Sequence, residues 1–248
     1  METMVTSKLN VAVVGTDTGV GKTVVTAGVV GWLRAAGYDA RAVKPVQTGH
    51  PPDDDAGFVA AACGTHAAAT CGPRLEPALA PAVAADVADR TLEYSAIRGT
   101  CETERDRDGP CVIEGIGGLR VPLADGQEVI DLVADLGVPA ILVGRSGLGT
   151  LNHTALSVAA LRRRGVAVAG VVLNQYEGST TAERTNPEII EDMTECPVYA
   201  LSPVSMETPE DVVAGVREEL PVEQLLQTVA SAEADGNEVS RNPTEFES

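Results

Sequence analysis

Aromatic residues are scarce in this chain of 248 residues, at 3% of positions, so its core must be built mostly from Val, Ala, Leu and Ile. Lysine is nearly absent. It occurs only at Lys8, Lys22 and Lys44, and the other 15 of the 18 basic residues are Arg. The net charge of −18 argues against nucleic acid or an anionic membrane as a partner. An acidic surface almost without Lys suits a cytoplasm at very high salt, where the Debye length falls to about 3 Å and like charges barely repel. Cysteine pairs are also missing. Cys63, Cys71, Cys101, Cys111 and Cys196 are odd in number and form no C-x-x-C, which points to reduced, mostly buried thiols. No apolar run approaches the roughly 18 residues of a membrane helix, and "METMVTSKLN" lacks the order of a signal peptide. These absences predict a cytoplasmic protein.

What is present is a recurring short apolar run. The strand candidates are Leu9–Gly15, Ala40–Val46, Pro110–Gly115, Pro139–Gly144, Val166–Asn174 and Pro197–Ser202. Their hydrophobicity is continuous, the mark of strands buried on both faces of a parallel sheet. Helix-like stretches such as "KTVVTAGVVGWLRAAG" and "TLNHTALSVAALRRRG" lie between them. The βαβ alternation predicts an α/β fold: a single domain with a doubly wound, mostly parallel sheet. That domain is expected over residues 1–229, ending in a helix near 208–228. The polar, acidic stretch 230–248 is expected as a disordered tail. The Pro/Ala-rich "RLEPALAPAVAADVADR" reads as a loop followed by a helix.

Between the first strand and the first helix stands "GTDTGVGKT" (Gly15–Thr23). A glycine-rich loop between strand and helix turns its N–H groups inward and, with the helix N-terminus, makes a phosphate site. Lys22 can reach the outer phosphates and the Thr23 hydroxyl can ligate Mg²⁺. The first glycine is one place early for G-x-x-x-x-G-K-[ST], where Thr16 stands instead. A dinucleotide loop fits poorly, because G-x-G-x-x-G is absent.

Ligands of open α/β sheets collect at the C-terminal strand ends, and three more such ends carry unusual residues. Lys44 in "VKPVQTG" is a lysine kept where the chain otherwise uses Arg, which suggests that a compact ammonium is required. Glu114 in "VIEGIGG" can hold Mg²⁺ directly or through water, or cap a strand–loop junction. "VGRSGLGTLNH" is a second strand–loop–helix unit without a lysine, able to take a weaker anion such as a carboxylate. Asp53, Asp54 and Asp55 sit at a loop-to-helix junction. They read as N-caps, with one of them available for Mg²⁺. His153 reads as a helix-start or packing residue, and His50 and His66 have no partner pattern.

Together "GTDTGVGKT", "KPVQTG", the aspartate loop, "IEGIGG", "GRSGLGTLNH", "VLNQ" and "ALSPVSMETPE" resemble the dethiobiotin synthetase family, from Val11 to about Glu210. The early glycine is a mark of that family. The resemblance implies a P-loop NTPase-like fold and a ligase that uses ATP, CO₂ and 7,8-diaminopelargonate. It implies that Gly19, Val20, Gly21, Lys22, Thr23 and Val24 hold ATP, with Asn174 reading the base and Pro203, Val204, Ser205 and Glu210 lining its pocket. Lys22 and Lys44 flank the transferred phosphoryl group, and Thr23, Asp55 and Glu114 coordinate Mg²⁺. Thr18, Thr48, Gly117 and Gly118 touch the diamine. The family is homodimeric, and the loop around Leu148, Gly149 and Asn152 holds the substrate carboxylate from the partner subunit. One departure is Ala80-Pro81-Ala82, where the family commonly has Ser-Pro-His. A ParA/MinD-like regulatory ATPase is the competing reading. Those proteins usually carry a second lysine inside the phosphate loop, where this chain has Asp17. An amidotransferase ATPase would need a glutaminase domain, for which the chain has no room unless it is a separate chain.

Overall fold

The six apolar runs become six of the seven strands of one parallel sheet. The structure is a computed structural model that describes residues 8–241. In chain order its elements are β1 (Asn10–Gly15), α1 (Lys22–Ala35), β2 (Arg41–Lys44), β3 (Gln47–Thr48), α2 (Asp55–Ala62), β4 (Ala69–Cys71), β5 (Arg74–Leu75), α3 (Pro81–Val87), α4 (Tyr94–Asp106), β6 (Cys111–Gly118), β7 (Pro122–Ala124), β8 (Gln127–Glu128), α5 (Val129–Leu136), β9 (Ala140–Arg145), α6 (Thr150–Arg163), β10 (Val168–Asn174), α7 (Thr181–Thr194), β11 (Val198–Leu201), α8 (Pro209–Glu219) and α9 (Val222–Arg241). The large sheet runs β11–β10–β9–β1–β6–β2–β4, and every neighbouring pair is parallel. The short pairs β3–β5 and β7–β8 stand apart from it.

Both faces of the sheet are covered, which is why the strands show no polar alternation. Val11 and Val13 of β1 point into one apolar layer with α1, α8 and α9. Ala12 and Val14 point into the other, with α4, α5 and α6. The strand that sequence patterning misses is β4. It is an edge strand of three residues in an Ala-rich stretch, too short and too weakly apolar to give a periodic signal.

The expected last helix over 208–228 is two helices. Leu220 is extended (φ −108°, ψ 128°), as the residue before Pro221 prefers to be, and the chain restarts as α9. The stretch from Ala230, expected to be disordered, continues α9 instead. Ala230 and Ala232 pack on the core, and Glu233 accepts the N–H of Asn10 at 3.0 Å. Those contacts anchor a segment whose polar composition alone gives no reason to order. Residues 242–248 of the expected tail lie outside the described residues.

Helix α1, which carries the phosphate loop at its start, docks tightly on α8. A Cβ added at Gly28 would fall 2.1 Å from Val216 Cγ1, and one at Gly31 2.5 Å from Val213 Cγ1. Gly28→Ala therefore overpacks the contact. Its expected cost is about 1–3 kcal/mol, against which the better helix propensity of Ala returns about 1. Thermal unfolding checks this: the single variant melts lower, and Val216→Ala in the same chain recovers part of the loss.

Candidate active site

The C-terminal ends of β1, β2 and β6 meet at one cleft of about 290 Å³. Of the residues singled out above, Thr18, Gly19, Gly21, Lys22, Thr23, Lys44, Thr48, Asp53, Asp55, Glu114 and Gly117 line it. Glu114 is buried, and its Oε1 accepts from Lys44 Nζ at 2.9 Å and from Thr23 Oγ at 2.8 Å. Lys44, only 3% exposed, also reaches Asp55 Oδ2 at 2.5 Å and the Gly115 carbonyl at 3.2 Å. Burial works against its charge, but the Glu114 and Asp55 carboxylates outweigh it and hold the ammonium above the ordinary lysine range. Lys22 folds back to donate to the carbonyls of Asp17 at 3.1 Å and Gly117 at 2.9 Å. Burial, and then the neighbouring charge of Lys44, lower its pKa to about 8.

The structure sets Asp54 apart from Asp53 and Asp55, which both line this cleft. Asp54 is the N-cap of α2: its carboxylate accepts the Gly57 N–H at 3.0 Å and pairs with Arg74. Asp55 is the one that reaches Lys44. The carboxylates of Glu114 and Asp55 thus meet at a single ammonium, and the Thr23 hydroxyl donates to the same Glu114 oxygen. Hard oxygen donors in that small number fit Mg²⁺, an ion that keeps several waters and shares itself with phosphate oxygens. Among the described residues no group of three or more His, Cys, Asp or Glu side chains forms an all-protein metal cage.

The remaining residues fall around this centre. Val20 is buried and its carbonyl accepts from Asn174 Nδ2 at 3.0 Å, which ties the phosphate loop to the end of β10. Val24 faces a neighbouring cleft with Thr23, Pro52, Phe58 and Met206. Gly118 lies behind the loop, paired in register with Gly15. Pro203, Val204 and Ser205 follow β11 at the same sheet edge, and Glu210 is in the first turn of α8. Leu148, Gly149 and Asn152 do not line the cleft of their own chain. Leu148 is 97% exposed at the tip of the second loop, beside Thr16, Asp17 and His153. Sequence reasoning misses Gln47. Its side chain is buried, accepts the Asp55 N–H at 3.2 Å and donates to the Thr48 carbonyl at 2.8 Å, so it fixes both neighbours. The only signal for it is its place within "KPVQTG".

The fold and this cleft define a P-loop ATPase of the α/β class, and residues 10–208 match the AAA domain family AAA_26. Solved structures with the same fold include the cell division ATPase MinD of Pyrococcus furiosus. It has TM-score 0.55 and 17% identity, with 90% of this chain and 99% of that one covered. A ParA family ATPase of Chlorobium tepidum also has TM-score 0.55, at 12% identity over 92% of this chain and 99% of that one. These show the fold alone. Curated relatives are closer. The ATP-dependent dethiobiotin synthetase BioD of the haloarchaeon Haloferax mediterranei is 74% identical over 218 residues, covering 88% of this chain and 94% of that protein. The protein of the same name from Aquifex aeolicus is 32% identical over 210 residues, covering 84% of this chain and 96% of that one. The chain belongs to the dethiobiotin synthetase family. The haloarchaeal relative agrees with the acidic, lysine-poor composition. Among the described residues no helix is long and apolar enough to cross a membrane.

The low pKa of Lys22 has a consequence for binding. Polyphosphate favours the charged ammonium, so nucleotide binding must restore the proton wherever Lys22 has lost it. Below about pH 8 ATP binding is expected to take up almost no proton at this site. Above it, affinity falls toward tenfold per pH unit, with uptake approaching one proton. Titration calorimetry at pH 6.5 and 9, in buffers of different ionisation enthalpy and at constant salt, measures this. In Lys22→Gln the dependence should disappear.

Proposed function

We propose that the protein closes the ureido ring of dethiobiotin from 7,8-diaminopelargonate, CO₂ and ATP, releasing ADP and phosphate. One observation carries this reading: two of the chain's three lysines meet at one cleft, backed by Glu114. The cations neutralise the negative charge that phosphoryl transfer develops, and the site needs no nucleophile of its own. One amine of the substrate adds to CO₂ and loses a proton, giving a carbamate. A carbamate oxygen takes the γ-phosphoryl group of ATP as ADP leaves. The second amine then attacks the carbonyl carbon of this mixed anhydride, the ring closes and phosphate departs.

In this reading Thr18, Thr48, Gly117 and Gly118 position the two amines. The phosphate loop from Gly19 to Val24 cradles the triphosphate. Lys22 and Lys44 bracket the phosphoryl group in flight. Thr23, Asp55 and Glu114 would hold Mg²⁺, which when bound screens the phosphate oxygens against the incoming carbamate. Asn174, Pro203, Val204, Ser205 and Glu210 receive the base. Leu148, Gly149 and Asn152 project from a partner subunit to hold the substrate carboxylate, which makes the working form a homodimer. The full exposure of Leu148 and the absence of these residues from their own chain's cleft support that arrangement.

Phosphate release from ATP tests the reading. It is expected to require the diamine and bicarbonate together and to be larger at high salt. Turnover unchanged by the diamine at every salt concentration would overturn it. The role of Lys44 has its own test. Three oxygens lie within 3.2 Å of its Nζ, a space sized for an ammonium. Lys44→Arg keeps the charge and should lose most turnover, at least about a hundredfold in kcat. Near-normal kcat would remove the special role of the ammonium.

A further inference from the structure

The second glycine-rich loop is clamped from below by α7. Asn186 is buried at 4% exposure, and its Nδ2 donates both protons to the loop, to the carbonyl of Ser146 at 2.7 Å and of Gly147 at 3.1 Å. Ser146 is buried as well. Its hydroxyl donates to the Gln175 carbonyl at 2.9 Å and lies 3.2 Å from Glu183 Oε1. The other Glu183 oxygen is saturated by Ser179 and Thr180: it accepts both their N–H groups, at 2.9 and 3.0 Å, and their hydroxyls. This carboxylate therefore cannot leave its place without abandoning the cap of α7.

The clamp acts on carbonyls, and that decides its effect. Two successive C=O groups are turned toward α7, so the chain at the tip must leave in the opposite sense. Gly149 does so with φ 94°, and α6 opens there with no side-chain cap among the described residues. The Thr150 N–H closes back on the Gly147 carbonyl at 3.3 Å, and Leu148 is left exposed at the tip. Buried hydrogen bonds thus hold a loop whose tip, Leu148, faces solvent.

We propose that Asn186 is a positioning residue that fixes the second glycine-rich loop in the shape that receives the carboxylate end of the substrate. This rests on the reading that the loop from Leu148 to Asn152 holds that carboxylate. Asn186 does not line the phosphate loop cleft and contacts neither Lys22 nor Lys44 among the described residues. Its loss should therefore weaken one end of one substrate and leave the chemistry intact.

The test compares wild type and Asn186→Ala with two diamines, 7,8-diaminopelargonate and its carboxylate-free analogue 7,8-diaminononane. In the variant, KM for diaminopelargonate is expected to rise on the order of 10- to 100-fold, the scale of a loop displaced by about an ångström, while kcat and the Kd of ATP stay within about twofold. With diaminononane the two proteins should differ by less than about twofold, because the contact that the clamp shapes is already missing. Thr194→Ala serves as the control. It removes a buried hydroxyl bonded to the Ile190 carbonyl of the same helix, so it should cost stability without moving either KM. If wild type prefers diaminopelargonate but Asn186→Ala leaves its KM unchanged, or if Thr194→Ala raises that KM as much, the positioning role is overturned. If wild type uses both diamines equally well, the loop does not hold the carboxylate and the inference falls with that reading. If neither diamine is turned over, the ligase reading itself fails.

Discussion

A buried ammonium between two carboxylates is the constraint on which the rest of this site depends. Lys44 and Glu114 are almost without solvent, and either one left alone would cost about 3–5 kcal/mol. They sit on adjacent strands, β2 and β6, and Thr23 reaches the same Glu114 oxygen from the start of α1. The pair therefore fixes the relative height of two strands and the helix that follows the phosphate loop. An apolar substitute would fill the space as well or better, so stability is a poor reason for keeping ions here. The charge is needed for something that arrives. The effect on Lys22 points the same way, since Lys44 is one cause of its low pKa. Anionic phosphate between two cations relieves burial and repulsion together.

The same edge of the sheet carries a second constraint, applied through neutral hydrogen bonds. The end of β10 holds two loops at once. Asn174 takes the Val20 carbonyl of the phosphate loop, and the next residue, Gln175, offers its carbonyl to Ser146 of the second loop. Gln175 does this from a left-handed conformation, φ 57°, unusual for a residue with a side chain. One strand end thus sets the position of both loops. The geometry of the nucleotide and that of whatever the second loop binds are referred to a common rigid element.

The sheet, its six long strands and the phosphate loop were legible because each is a local pattern: continuous apolar runs, glycines and a G-K-T. The cleft was legible as far as its residues stood at strand ends, which is how Lys44 and Glu114 stood out. What patterning could not reach was anything decided by contacts across the chain. Asp55 differs from Asp54 only through Lys44 and Arg74, one from β2 and the other from β5. Gln47 and Asn186 look like ordinary polar residues until their partners are known. The order of α9 beyond Ala230 depends on Asn10, more than two hundred residues earlier. Pro221 divides the expected helix over 208–228, because Leu220 before it takes an extended conformation.

The early glycine of the phosphate loop has a physical explanation in these terms. The N–H of Thr16 still donates to the Val143 carbonyl of β9 at 2.9 Å, so this residue continues the edge of the sheet and the turn begins after it. Thr16 is not among the residues with positive φ, and nothing about its backbone demands glycine. Gly15 is different. A Cβ there would stand 2.9 Å from the Asp17 carbonyl oxygen and 3.0 Å from Lys22 Nζ, the two atoms that meet when Lys22 folds back. The glycine is thus placed where the lysine needs room, one residue before the place the general motif assigns to it. The shift leaves room for the Lys22–Asp17 contact, and the loop keeps its anion-binding end, Gly21-Lys22-Thr23, unchanged.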